Sequence, residues 1–399
     1  MISKSSDRQM ALWSGSRSGW ISAALLVSFF IAPVLADDLD QQISQDDAAV
    51  ETRLKETVEY LASDELQGRG AGSEGIDKAA DYIAKRMGKI GLKTDVFKGS
   101  PYQSFSAAVM KNEDESHFYR LNVFSYFGNT VYFLFAKIGD LSPDNEPSKS
   151  PGKAVEGLVK IKNVVAMLEA QGPLAEETIV IGAHYDHLGV RKTRDGKEVI
   201  YNGANDNASG VAVMLETAEI LAHRDKKLPR RIVFVAFSGE ESGLLGSFHY
   251  VNHPAVPLNK TIAMINLDVV GRMEGDMVVT VGTSTSLMLA KTTEKIVKQR
   301  ELSLVELPGV LAGSDHAPFY SCQIPVVFFL SQGGMGDMHQ PTDDADKLNY
   351  PGMRKIAQVA ADLAVELAEA DKRPEFCEEG VISVLFRNLL RLWGSFSDN

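Results

Sequence analysis

The feature that most constrains this chain is a set of short, nearly unbroken runs of β-branched and aromatic residues: Thr178–Gly182, Arg231–Phe237, Ile262–Asp268, Val278–Val281 and Pro325–Leu330. A strand with one wet face alternates apolar and polar residues. A continuous run is expected where both faces are buried, as in a mostly parallel sheet covered by helices. Helical periodicity separates the runs, over Glu74–Ile90, Ala208–His223, Leu287–Arg300 and Met353–Ala370. The first of these follows a Gly-rich turn, and the third follows Ser/Thr residues that predict a capped start. The alternation implies an α/β fold with a mixed, mainly parallel central sheet and helices on both faces.

Acids and histidines stand where such strands end. They are His184-Tyr185-Asp186-His187, Asn205-Asp206-Asn207, Gly239-Glu240-Glu241, Asp268, Asp315-His316 and Asp337-Met338-His339. The carboxyl ends of the strands are where open α/β sheets bind ligands. Imidazole and carboxylate donors without a cysteine suit a divalent ion such as zinc, and their wide separation in sequence excludes a local finger. Two ions fit the set better than one. Asp206 is the candidate bridge between ions roughly 3.5–4 Å apart. An isolated Glu-Glu pair is ordinarily a solvated dipeptide, but Glu240-Glu241 follows an apolar strand and joins four other acid or histidine motifs. If the backbone stays extended past His184, Asp186 shares its face and His187 points away into a structural hydrogen bond. His316 is expected to line the pocket, and Asp315 to hold a substrate amine or a neighbouring group. His117, His223, His249 and His253 read as surface or packing residues.

Taken together, the order, spacing and flanks of these motifs resemble the M28 family of co-catalytic zinc peptidases, mostly aminopeptidases. The resemblance runs from about Leu61, in Leu61-Ala-Ser-Asp-Glu-Leu-Gln-Gly-Arg-Gly70, to Asp371. It implies a zinc exopeptidase-like fold and two zinc ions, one on His184, Asp206 and Asp268 and the other on Asp206, Glu241 and His339. Glu240 would then be the base, taking a proton from the water between the ions and delivering it to the leaving amine. Asp186 would accept the ring N–H of His184 and fix its tautomer. The implied substrate is a peptide with a free amino terminus. Where several relatives have a tyrosine near the last histidine, this chain has Met338, so Tyr185, Tyr201 and Tyr320 become candidate oxyanion donors. Some relatives carry a protease-associated domain where this chain has residues 98–162; the segment is too short for one and is expected to form edge strands and a surface loop. Three other readings share the fold. A glutaminyl cyclase-like one-zinc acyltransferase need not keep both His184 and Asp206. A metallocarboxypeptidase needs a carboxylate clamp, for which Arg272 is the one arginine near the motifs. A catalytically dead binding domain would have lost ligands or the base.

The 399 residues are 44% hydrophobic and 24% charged, which leaves room for one large α/β core. Lys4, Arg8 and Arg17 precede the apolar run Trp20–Ala36, and residues 1–36 read as a cleaved signal peptide, giving an exported, periplasmic or extracellular protein with no stable membrane insertion. The peptidase domain is expected over 37–372 and an amphipathic tail over 373–399, packed on the domain or a partner. Loss of the leader removes a net +2 from the formal −12 and leaves −14, so nucleic acid is not an expected partner. Cys322 and Cys377 are the only cysteines; they permit one bridge without implying a disulfide framework, and Cys322 fits a core position.

Overall fold

The computed structural model describes residues 46–108, 158–193, 195–309 and 313–378. The expected leader, most of the 98–162 segment and all but the start of the tail lie outside the described residues, as does His117. The described residues from 50 onward form one compact unit; of the other unit, residues 1–49, only 46–49 are described.

Two helices come first: α1 over residues 46–61 and α2 over Glu74–Ile90. Next come β1 (Tyr102–Ala108), β2 (Leu158–Leu168), β3 (Thr178–His184) and the hairpin β4 (Gly189–Lys192) and β5 (Glu198–Tyr201). The alternating part is α3 (Ser209–Ala222), β6 (Arg231–Phe237), α4 (Leu245–Asn252), β7 (Thr261–Leu267), β8 (Met277–Val281) and α5 (Leu287–Gln299). The chain then gives β9 (Ser303–Leu307), α6 (His316–Ser321), β10 (Val326–Leu330) and α7 (Tyr350–Glu369). The eight-stranded sheet has the order β1-β2-β6-β3-β7-β10-β8-β9. Its centre, β6-β3-β7-β10, is parallel, while β1-β2, β2-β6 and β10-β8 are antiparallel, so the sheet is mixed but mainly parallel at its core.

The unbroken apolar runs are explained by burial on two sides. Ile179, Ile181, Ala183, Phe234 and Ala236 face a large cluster with α1, α2, α3, α5 and α7, whereas Val180, Val233, Val235 and Phe237 face Tyr250 of α4 and Phe319 of α6. The four expected helices appear within three residues of their predicted bounds, because their apolar stripes are the faces laid on the sheet. Ser73 caps α2 by accepting from the Ile76 N–H, but Ser286 makes no side-chain cap on α5. Cys322 is not a core residue: both cysteines are exposed and unbridged. Among the described residues, no helix is long and apolar enough to cross a membrane.

Two buried arginines lock the helices. Arg230 pairs with Glu177 at 2.6 Å and donates to the carbonyls of Leu367 and Ala368, so a cation meets the negative end of α7. Arg69 is taken up below.

The contact between α3 and the end of β7 tolerates no added bulk. A Cβ at Gly210 would collide with Asn207 Oδ1 and the Leu267 carbonyl, both of which belong to the hydrogen-bond chain that fixes the turn before α3. Gly88, exposed in α2, has nothing within 4 Å of an added Cβ. In urea denaturation, Gly210→Ala is expected to lose about 1–3 kcal/mol and Gly88→Ala to gain about 0.5–1 kcal/mol; equal midpoints for the two variants would contradict this packing.

Candidate metal centre

Each expected site residue lies at the carboxyl end of a central parallel strand or in a loop packed there. His184 ends β3, Glu240 and Glu241 follow β6, and Asp268 follows β7. Asp206 sits in the turn before α3, where the peptide to Asn207 is cis. This turn is zipped to the β7 exit: Asn207 donates to Leu267 O at 3.0 Å, Val270 N donates to Ser209 Oγ at 3.1 Å and Gly271 N to Asn205 Oδ1 at 2.8 Å. The zipper sets the spacing of Asp206 and Asp268.

The ligand-type atoms converge in two groups that share Asp206. His184 Nε2 is 3.2 Å from Asp268 Oδ1 and 3.3 Å from Asp206 Oδ1. The other Asp206 oxygen, Oδ2, is 3.1 Å from His339 Nε2, which is also 3.1 Å from Glu241 Oε2. The Asp268 carboxylate is aimed by Ser314, whose hydroxyl donates to Oδ2 at 2.6 Å while accepting from Asn266 at 2.7 Å. Neutral imidazoles and carboxylates held this close, with no thiolate, fit a borderline divalent cation.

The electrostatics match crowded acids around few cations. Burial opposes a charge on His184, yet Asp268 and Glu240 raise its imidazole well above the ordinary value. Burial also opposes a charge on His339, but hydrogen bonds to Asp206 and Glu241 carry it up to about 11. Burial and Asp206 push Glu241 upward, while His187 and His339 bring it down to about 2. Among the described residues Glu240 has no such partner in contact; burial lifts its carboxyl well above the usual range, opposed by His184 and reinforced by Glu241, Asp268 and Asp315. A carboxyl group whose basicity is raised in this way is better suited to accept a proton than an ordinary carboxylate.

Residues 163–364 match the model of peptidase family M28. The chain belongs to this family. The aminopeptidase YwaD of Bacillus subtilis is 27% identical over 232 residues, which is 54% of this chain and 46% of that protein, so the match spans about half of that relative. Among solved structures, the zinc aminopeptidase BSAP from Bacillus subtilis superposes with a TM-score of 0.58 at 19% identity, over 82% of this chain and 98% of that one. The Porphyromonas gingivalis glutaminyl cyclase superposes with a TM-score of 0.55 at 17% identity, over 80% and 98%. These likenesses establish the M28 fold of the sheet and its helices.

Within this M28 framework, several side chains sit differently from expectation. His184 Nδ1 lies 3.2 Å from the main-chain carbonyl of Asp186 and 3.8 Å from its carboxylate, so the tautomer is fixed by the backbone. The Asp186 carboxylate instead accepts from the main-chain N–H groups of Glu240 and Glu241, at 3.1 and 3.2 Å, and burial pushes it up to about 6. His187 does not turn away: its Nδ1 is 2.8 Å from Glu241 Oε1, and it forms a ligand-type cluster with Asp206 and Glu241. The strand β3 ends at His184, and beyond it His187 N donates to Arg69 O. Tyr185 is no oxyanion donor, because its hydroxyl donates to the Lys162 carbonyl at 2.6 Å. Tyr320 packs on Phe376, and Tyr201 lies under Arg191. His249 stacks on Phe105 and His253 stacks on His249, so both bear packing roles, as expected. Asp315 is buried, and burial raises it to about 7.

Two positions were not legible in the sequence. Asp343 accepts from the N–H groups of Asn205 and Asp206 at 3.0 Å, and Arg69 reaches the site from a loop before α2. The only signal for Asp343 was its place in a run of acids after His339.

Asp186→Asn tests the seating of Glu240 and Glu241. The amide keeps one acceptor and turns an NH₂ group toward the second main-chain N–H. Denaturation should show a loss of about 1–3 kcal/mol; a midpoint equal to that of the parent protein would show that the carboxylate does not hold this turn.

Proposed function

We propose that this protein is an exported zinc aminopeptidase that holds two ions and removes N-terminal residues from peptides. The observation that carries the reading is the Asp206 carboxylate, with one oxygen toward His184 and the other toward His339. His184, Asp206 and Asp268 would hold one zinc, and Asp206, Glu241 and His339 the other, with His187 fixing Glu241 from behind. Bound zinc supplies a Lewis acid for the scissile carbonyl and lowers the pKa of water.

The chain's own residues supply the rest. Glu240, free of a contacting cation and raised by burial, takes the proton of the attacking water and delivers it to the departing amine. Asp186 keeps Glu240 and Glu241 in register through their N–H groups, so that one side chain of the pair is left to bind metal and the other to move a proton. Ser314 holds Asp268 and Asp343 holds Asp206, so the donors are oriented before substrate arrives.

Amino-terminal polarity follows from charge. The acid-rich site favours a substrate ammonium, and a substrate carboxylate needs a free cation. Arg272 is committed elsewhere: its Nη1 pairs with Asp337 at 2.7 Å, and Asp337 also takes Lys347 at 3.1 Å, which anchors the loop bearing His339. A one-zinc cyclase would leave one of the two donor groups that share Asp206 without an ion.

Aminoacyl p-nitroanilides should be cleaved, their N-acetylated forms only poorly, and N-blocked peptides with free carboxyl ends not at all. Glu240→Gln should lower turnover by about 10²–10⁴ with unchanged metal content. Release of C-terminal residues from N-blocked peptides would reverse the polarity, and loss of zinc from the Gln variant would exchange the roles of Glu240 and Glu241.

A further inference from the structure

Arg69 is fully buried and makes four hydrogen bonds, every one of them to a main-chain carbonyl. Nε donates to Tyr185 O at 2.8 Å, Nη1 to Asn202 O at 2.7 Å and to Leu61 O, and Nη2 to Gly203 O at 2.9 Å. A buried guanidinium satisfied by neutral acceptors still needs countercharge. The charges that act on it are Asp186, Asp206, Asp343 and Glu241, all within or directly behind the candidate site; burial lowers it to about 10, so it stays charged at neutral pH.

Its backbone is held at a cost. Gln67, Gly68 and Arg69 take successive positive φ values of 49°, 63° and 50°, and a Cβ on Gly68 would strike the carbonyls of Tyr201 and Gly189. For the non-glycine residues such geometry is strained and persists only where surrounding contacts enforce it. The enforcing contacts lead to the site. Arg69 grips residues 185–187 twice, through its side chain on Tyr185 O and its own carbonyl on the His187 N–H at 3.2 Å. It grips Asn202 and Gly203 immediately before the turn that carries Asp206. One fork therefore spans the loop after His184 and the loop before Asp206.

We propose that Arg69 is a positioning residue: it sets the separation between the His184–His187 loop and the Asp206 turn, and offsets part of the negative charge of the donor acids, so that both zinc sites exist before zinc binds. This inference rests on the two-zinc reading. Arg69 touches neither substrate nor donor atoms, so its loss acts on zinc affinity and turnover rather than on substrate binding.

The test compares Arg69→Lys and Arg69→Met with the parent protein. Zinc dissociation is measured by competition with a chromophoric chelator, well below each unfolding midpoint and on samples shown to be folded by circular dichroism; kcat and KM are measured alongside. An ammonium cannot reproduce the planar fork, so the Lys variant should bind zinc about 10–100-fold more weakly and lose a similar factor in kcat, with KM little changed; the Met variant should lose more. Parent-like zinc affinity and kcat in a variant with only a lowered unfolding temperature overturns the proposal. Failure of both variants to fold also overturns it, since Arg69 would then serve folding. A parent protein that binds no zinc removes the underlying reading itself, a separate outcome from a parent that binds two ions and a Lys variant that binds them equally well.

Discussion

The site depends on one buried carboxylate being shared. Asp206 lies between two histidines far apart in the sequence, His184 on β3 and His339 in the loop after β10, and both approach its oxygens to within about the same distance. A carboxylate in that position without cations would suffer burial and the repulsion of Glu241 and Asp268. The two histidines compensate by hydrogen bonding its oxygens, while main-chain N–H groups of Asn205 and Asp206 donate to Asp343 and the same turn is zipped to the end of β7, which holds the carboxylate in place. These contacts fix the site by backbone geometry rather than by side-chain packing, and backbone geometry is rigid enough to hold donors ready for an ion.

The sheet explains why this site could be assembled. Parallel strands β3, β6 and β7 end side by side, so the residues at and after their ends meet although they are far apart in the sequence, His184 and Asp268 by 84 positions. Their apolar runs serve the two faces separately, which leaves the strand ends as the place where polar side chains can collect. The edge strand β1 and the short hairpin β4-β5 are outside this logic, being partly exposed.

That division also decides what the sequence could disclose. Buried strands and amphipathic helices announce themselves by periodicity, and the strands β3, β6, β7, β8 and β10 coincide with the apolar runs. Donor residues were legible as types at strand ends, and the structure brings His184, Asp206, Glu241, Asp268 and His339 together. The direction of each side chain was not legible. His187 lies beyond the end of β3 and meets Glu241, and the Asp186 carboxylate serves Glu240 and Glu241 because the β6 exit presents two N–H groups to it. Arg69 and Asp343 act on main-chain atoms, whose position no residue pattern encodes, so long-range backbone support of this kind appears only in three dimensions.

The central claim is that Asp206 joins two zinc ions. Anomalous diffraction at the zinc absorption edge, from crystals of the zinc-loaded protein, tests it directly. The account predicts two peaks roughly 3.5–4 Å apart, each about 2.0–2.2 Å from a different oxygen of Asp206. A single peak under zinc saturation, or two peaks of which only one contacts Asp206, would contradict it.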